Sequence, residues 1–168
     1  MYTSPKNYAF IDGNNFYLSA KELGWKVGHK QFRTFLREKY NVSVAYYFIG
    51  YIKDNEDLYK NLRKNGFTLI FKEVSRDEHD KPKGNIDAEL VLQAMIEIGK
   101  YDQAVIVTSD GDFACLVKYL TTQYKFLRVL ASSRYGCSKL LSKAAKTNID
   151  FLDDLREKLE YKKREGTP

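Results

Sequence analysis

Cysteine, histidine, tryptophan and proline are all scarce in this chain of 168 residues, which has two, two, one and three of them. Cys115 and Cys137 lack the paired spacing of zinc ligands, and neither His29 nor His79 has an acid at ligand spacing, so zinc chemistry and a serine–histidine triad have no support. Two thiols do not make a disulfide framework. Cys115 falls inside an apolar helical pattern and is expected to be a small core residue. No apolar run approaches the roughly 20 residues that a membrane span needs. The opening "MYTSPKNYAFIDG" has no basic stretch leading into a long apolar one, so the expectation is a cytoplasmic protein with reduced thiols and no membrane partner. The glycine-rich spacings of dinucleotide sites and P-loops are missing too.

What is present describes a folded chain. Hydrophobic residues make up 43% and charged residues 30%, a globular balance and not a disordered one. The length suits a single domain spanning 1–168, with a core over about 7–152 and a C-terminal helix and basic tail over 153–168. Lysine and arginine number 28 against 22 acids, a net charge of +6. That excess favours an anionic partner, nucleic acid first, although part of it lies in the terminal "EKLEYKKREGTP".

Strand and helix patterns alternate throughout. Short apolar runs at 8–12, 42–52, 67–74, "QAVIVTS" and 125–131 read as strands. Helical patterns fall at 16–23, 29–40, 55–66, 87–100, 113–123 and 138–146, and 149–160 reads as an extended piece running into a last helix. The polar 75–85, with Pro82 and Gly84, reads as a loop. Such alternation implies βαβ units, a mostly parallel sheet buried on both faces, and a three-layer α/β/α fold.

In such folds ligands bind beyond the carboxyl ends of the strands, where strand order reverses. The first strand ends in Asp12, followed by Gly13, Asn14 and Asn15. The strand "AVIVTS" ends in Asp110 and Asp112. Asp87 sits at an expected helix N-cap just before that strand. If the two strands are neighbours, Asp12, Asp87, Asp110 and Asp112 converge on one cleft. Four carboxylates with no histidine or cysteine form a hard-oxygen site, suited to Mg²⁺ or Mn²⁺. A cation would explain why so many like charges share one place, and it is a means of hydrolysing phosphate esters. Turn formation for Asp12 and helix capping for Asp87 and Asp112 are the competing structural roles. Asp110, beside another acid at a strand end, has no evident capping job.

The segments "FIDGNNFYLS", "KGNIDAELVLQAM" and "VIVTSDGDFACLVKYL" together resemble the NYN domain family, a branch of the PIN-like nuclease superfamily that includes the LabA-like proteins. The resemblance runs in order over about 7–152. It implies a PIN-like fold with a five- or six-stranded, mostly parallel sheet in the order 3-2-1-4-5, and a metal-dependent ribonuclease, or at least a PIN-type acidic site. Asp12, Asp87, Asp110 and Asp112 match the family's metal-binding acids, Asn15 and Thr108 its supporting polar residues, and Lys83 and Gly84 its "KG" pair. The segment "AAKTNIDFL" departs from the family, with Lys146, Thr147 and Asn148 where many relatives have an alanine–aspartate pair.

Cations must offset the charge that a phosphodiester brings to an acidic cleft. Lys83, Lys53 and Arg134, each at an expected carboxyl-end loop, are the candidates. Tyr17 and Phe113 follow the acidic turns and can stack on bases of single-stranded RNA, with core packing as the alternative. The leading expectation is therefore an endoribonuclease. The alternatives are an RNA-binding or regulatory module with little turnover, and a metal-dependent phosphohydrolase or DNA nuclease. The many aromatics leave room for a homodimer.

Overall fold

The computed structural model describes residues 5–72, 75–76, 82–83 and 86–163, with 75–76 and 82–83 described by backbone alone. Six strands form one parallel sheet: β1 (Asn7–Asp12), β2 (Val42–Gly50), β3 (Thr68–Lys72), β6 (Ala104–Val107), β7 (Phe126–Ala131) and β8 (Ile149–Phe151). Their spatial order is β3-β2-β1-β6-β7-β8. Counted within this sheet alone, that is 3-2-1-4-5-6, the expected order with a sixth strand added. The remaining two strands, β4 (Ser75–Arg76) and β5 (Pro82–Lys83), pair antiparallel with Ser75 opposite Lys83. The polarity of 75–85 predicts only a loop, and this hairpin corrects that expectation. Pro82 lacks an N–H, which argues against a central strand but is tolerated in a two-residue edge.

The helices are α1 (Gly13–Glu22), α2 (His29–Tyr40), α3 (Glu56–Lys64), α4 (Asp87–Ile96), α5 (Ala114–Thr122), α6 (Lys139–Ala145) and a single turn α7 (Arg156–Leu159). Two hydrophobic cores explain their placement. On one sheet face Ala9, Ile11, Tyr47 and Val105 pack with Phe16 of α1, with Phe32 and Leu36 of α2, and with Leu159. On the other face Phe10, Phe48, Ile106 and Val129 pack with Leu90 of α4, with Leu116 and Leu120 of α5, and with Leu141 of α6. Alternate residues of one strand thus feed opposite cores, as the two-residue period of a strand requires. No helix among the described residues is long and apolar enough to cross a membrane.

One sequence expectation shifts. Cys115 is exposed, while Leu116, Val117 and Leu120 of the same helix are buried. It lies one step off the buried stripe, and thiol composition alone cannot fix helical phase. The tail is tied down, at least at its start. Tyr161 donates its N–H to the Lys26 carbonyl (2.7 Å), and Gly28 donates to Leu159 (2.8 Å).

The candidate acidic site

β1 lies between β2 and β6, so strand order reverses there and the loops after β1 and β6 diverge to opposite sides. Ile11 pairs with Val107, so Asp12 ends its strand level with Thr108. That register explains why two segments nearly 100 residues apart supply one site.

Asp12 is 4% exposed and caps α1. One carboxylate oxygen accepts the Asn15 N–H (3.1 Å), and the other accepts the Thr108 hydroxyl (3.1 Å). Burial pushes its pKa up to about 6; the Asn15 and Thr108 hydrogen bonds oppose the rise, and the negative charges of Asp87 and Asp110 add to it. The Thr108 oxygen also accepts the Asp110 N–H (3.1 Å). A single hydroxyl thereby joins the two strand ends. Replacing Thr108 by valine removes a donor to Asp12 and the acceptor for Asp110. Groups that orient ligating residues commonly cost 10- to 100-fold when lost, and a loss of about that size in metal affinity is expected by titration calorimetry; an unchanged affinity would refute this positioning role.

Asp110 has a local task after all. It caps the 3₁₀ turn Gly111–Phe113, its carboxylate accepting the Asp112 N–H (3.0 Å). Asp87 is the first residue of α4 and does not cap it; Ile86 holds the cap position without a side-chain hydrogen bond. An acid in a helix's first turn is still favoured by the exposed N–H groups there. One oxygen each from Asp87, Asp110 and Asp112 lie within 4.8 Å of one another. Oxygens around an octahedral Mg²⁺ stand about 3–4 Å apart, given bonds of about 2.1 Å. These three carboxylates are therefore placed to share a hard cation, which would keep waters at its remaining positions. Asp12 stands beside this triplet and feels the charges of Asp87 and Asp110.

The second tier of the site includes residues that the sequence does not single out. Asn15 accepts the Ser109 N–H (2.8 Å). The Ser109 hydroxyl donates to Ser132 (2.9 Å) and accepts the Ser132 N–H (2.8 Å), linking the ends of β6 and β7. These bonds brace the backbone that carries Asp110. They span 94 and 23 residues, so no local pattern announces them.

The candidate cations lie in three separate segments of the chain. Lys53 opens a 3₁₀ turn just past β2. Lys83 ends β5 of the hairpin, and its side chain lies outside the described atoms, as do Gly84 and His79. Arg134 follows β7 and is held by Asp154 (3.0 Å) and over the Phe151 ring (4.8 Å). Phe113 is fully buried and so serves the core, whereas Tyr17 is 65% exposed. Lys72, at the carboxyl end of β3, pairs with Glu89 of α4 (3.2 Å), a rim contact that sequence spacing does not suggest.

Comparisons with known proteins agree with this architecture. The NYN domain family model matches residues 7–153. The Low amplitude and bright protein LabA of Synechococcus elongatus is 26% identical over 167 residues, covering 92% of this chain and 88% of the relative. A crystal structure of a Vibrio parahaemolyticus protein, described as of unknown function, superposes with a TM-score of 0.77. It is 22% identical and covers 92% of this chain and 98% of its own, a likeness of fold.

Proposed function

The chain belongs to the NYN domain family, and on that premise we propose that it is a metal-dependent endoribonuclease. Family membership and the acidic cluster support a nuclease-type, RNA-related role. The observation that carries the finer reading is the convergence of Asp87, Asp110 and Asp112 within 4.8 Å at the end of a sheet whose strand order reverses there. The donors are all carboxylates, which fits Mg²⁺ or Mn²⁺. Bound there, such an ion would polarise a phosphoryl oxygen and lower the pKa of a water.

The protein's own contribution is placement. Asp87, Asp110 and Asp112 hold the cation, with Asp12 as the fourth acid. Thr108 and Asn15 fix the two strand ends against each other, so the acids keep their spacing when unlike charge arrives. Lys53 just past β2, Arg134 past β7 and Lys83 at the end of β5 offset the phosphodiester's charge. Single-stranded RNA is the favoured substrate, because its bases and backbone are both accessible.

The test is cleavage of labelled single-stranded RNA, structured RNA and DNA with Mn²⁺, Mg²⁺ or EDTA. Cleavage is expected to require the ion, to favour single-stranded RNA, and to disappear in Asp110→Asn. Full activity in that variant would end this mechanism. RNA binding by folded, metal-loaded protein without cleavage would replace it with a binding module.

A further inference from the structure

We infer that the substrate strand leaves the acidic site through an aromatic cavity and then along a lysine-lined groove on the α2 and C-terminal side. This path rests on the ribonuclease reading above and names residues outside the acidic cluster. A cavity of about 400 Å³ begins at Gly13 and Asn14, the two residues after Asp12. Phe16, Tyr17, Tyr47 and His29 supply its rings, and Asn14 and Asn55 supply polar edges. Its size lies in the range of ligand cavities, and rings with a few polar groups at the edge are what a nucleobase requires. Tyr47 joins it physically to the acidic turn, because its ring packs against Gly13, the residue after Asp12, so closely that a Cβ there would stand 2.4 Å from Cε1. His29 points one nitrogen at Asn61 (2.7 Å), which fixes its ring at the far wall.

His29 and Leu58 line a second, open groove of about 1160 Å³ as well. The two spaces therefore share these two side chains as a common wall. Lys26, Lys30, Lys64, Lys158 and Lys162 line this groove, against one acid, Glu38. None of the five lysines forms an ion pair among the described residues. Lys26 lies over the Tyr161 ring (5.0 Å), and the Tyr161–Lys26 backbone bond holds Lys158 and Lys162 beside it. The start of the basic tail is thus folded into the groove wall. Lysines without an ion pair among the described residues, along a groove that shares a wall with a ring-lined cavity, are the pattern that tracks a single strand, with phosphates on the lysines and a base in the stack.

The experiment measures binding of a fluorescein-labelled 20-nucleotide single-stranded RNA by anisotropy, in the Asp110→Asn background, from 50 to 400 mM salt. A triple variant Lys30→Ala, Lys64→Ala, Lys158→Ala is compared with the background protein, and melting temperature confirms folding in both. Each phosphate contact on a single strand contributes about 0.7 to the slope of log K against log salt. The triple variant is expected to lose about 2 from that slope, roughly a 100-fold weaker affinity at 0.1 M salt. Tyr17→Ala is expected to weaken binding about 5- to 150-fold and to reduce the fluorescence change of a 2-aminopurine-substituted RNA, with little change in slope. Unchanged affinity and slope in the folded triple variant would overturn the path. If the parent cleaves RNA with metal at that point, the ribonuclease reading stands without it. A parent that neither binds nor cleaves RNA overturns both.

Discussion

Asp12→Asn is expected to melt above the parent in EDTA at pH 8 and to cleave RNA roughly 10²- to 10⁴-fold more slowly. The two halves of that result have one origin. Asp12 is buried, and with its neighbours Asp87 and Asp110 its carboxyl titrates near 6 in place of its ordinary 3.8. The folded state therefore holds the proton more tightly than the unfolded state. The stability that this group contributes is fully present below about 3.8 and is lost as pH rises through about 6. Two pKa units correspond to about 3 kcal/mol. Above pH 7 without metal, the ionised carboxylate costs that much at most. Asparagine keeps the shape and the acceptor for the Asn15 N–H, gives up the acceptor for the Thr108 hydroxyl, and never ionises. After about 1 kcal/mol for the lost Thr108 bond, a net gain of about 1–2 kcal/mol, roughly 2–8 °C for a domain of this size, follows. The variant's melting curve should also lose the parent's decline between pH 4 and 7. With Mg²⁺ the difference is expected to shrink or reverse, because a bound cation stabilises the parent, with four acids, by mass action more than the variant, which keeps three. Activity falls because one ligand charge is missing at a site where charge stabilisation is worth several kcal/mol, or roughly 10²- to 10⁴-fold. Thermal melts across pH with and without metal check the first half, and RNA cleavage checks the second. A variant that melts below the parent in EDTA at pH 8 would show that Asp12 is not under electrostatic strain.

The residues of this site are unequally legible in the amino-acid sequence. Asp12, Asp110 and Asp112 stand at the ends of short apolar runs, and chain alternation places such ends on one edge of a parallel sheet. Asp87 can be placed by the polar segment before it, although its helix begins at that residue and not after it. The capping bond of Asp110 spans only two residues, so it is within reach of a local pattern. The repulsion between two neighbouring carboxylates hides it, because Asp-Gly-Asp reads as a charge cluster before it reads as a turn. Ser109 and Ser132 leave no such trace, since their pairing depends on β6 and β7 being neighbours. His29 has no acid near it along the chain, and its place in a cavity next to Gly13, held by Asn61 of α3, comes only from the fold. Periodicity distinguishes α5 from a strand but does not fix which way its stripe faces, which is why composition wrongly assigns Cys115 to the core.

Gly13→Ala is expected to carry the largest loss of stability, and the reason lies one residue from the acids. A Cβ at Gly13 would stand 2.4 Å from the Phe48 carbonyl oxygen and 2.4 Å from Cε1 of Tyr47. The first of these is backbone in β2, a strand paired on both sides, by β1 and β3. It cannot withdraw without displacing the sheet. Alanine is a better helix former than glycine by up to about 1 kcal/mol, but this benefit is smaller than the strain of forcing a methyl into a packed contact, about 1–3 kcal/mol or more. Sterics win, and α1 must lift away from β2. That movement starts at the cap that Asp12 makes and carries Asn15 from the Ser109 N–H (2.8 Å). Displacing a reacting group by about 1 Å can cost 10²-fold in rate, so activity should fall with stability although no charged group has changed. Urea denaturation should show a lower midpoint, with kcat on single-stranded RNA reduced about 100-fold in the fraction that remains folded. An alanine variant as stable and active as the parent would mean that α1 approaches β2 less closely than this geometry requires, and the cavity that opens at Gly13 would be wider at its mouth for the same reason.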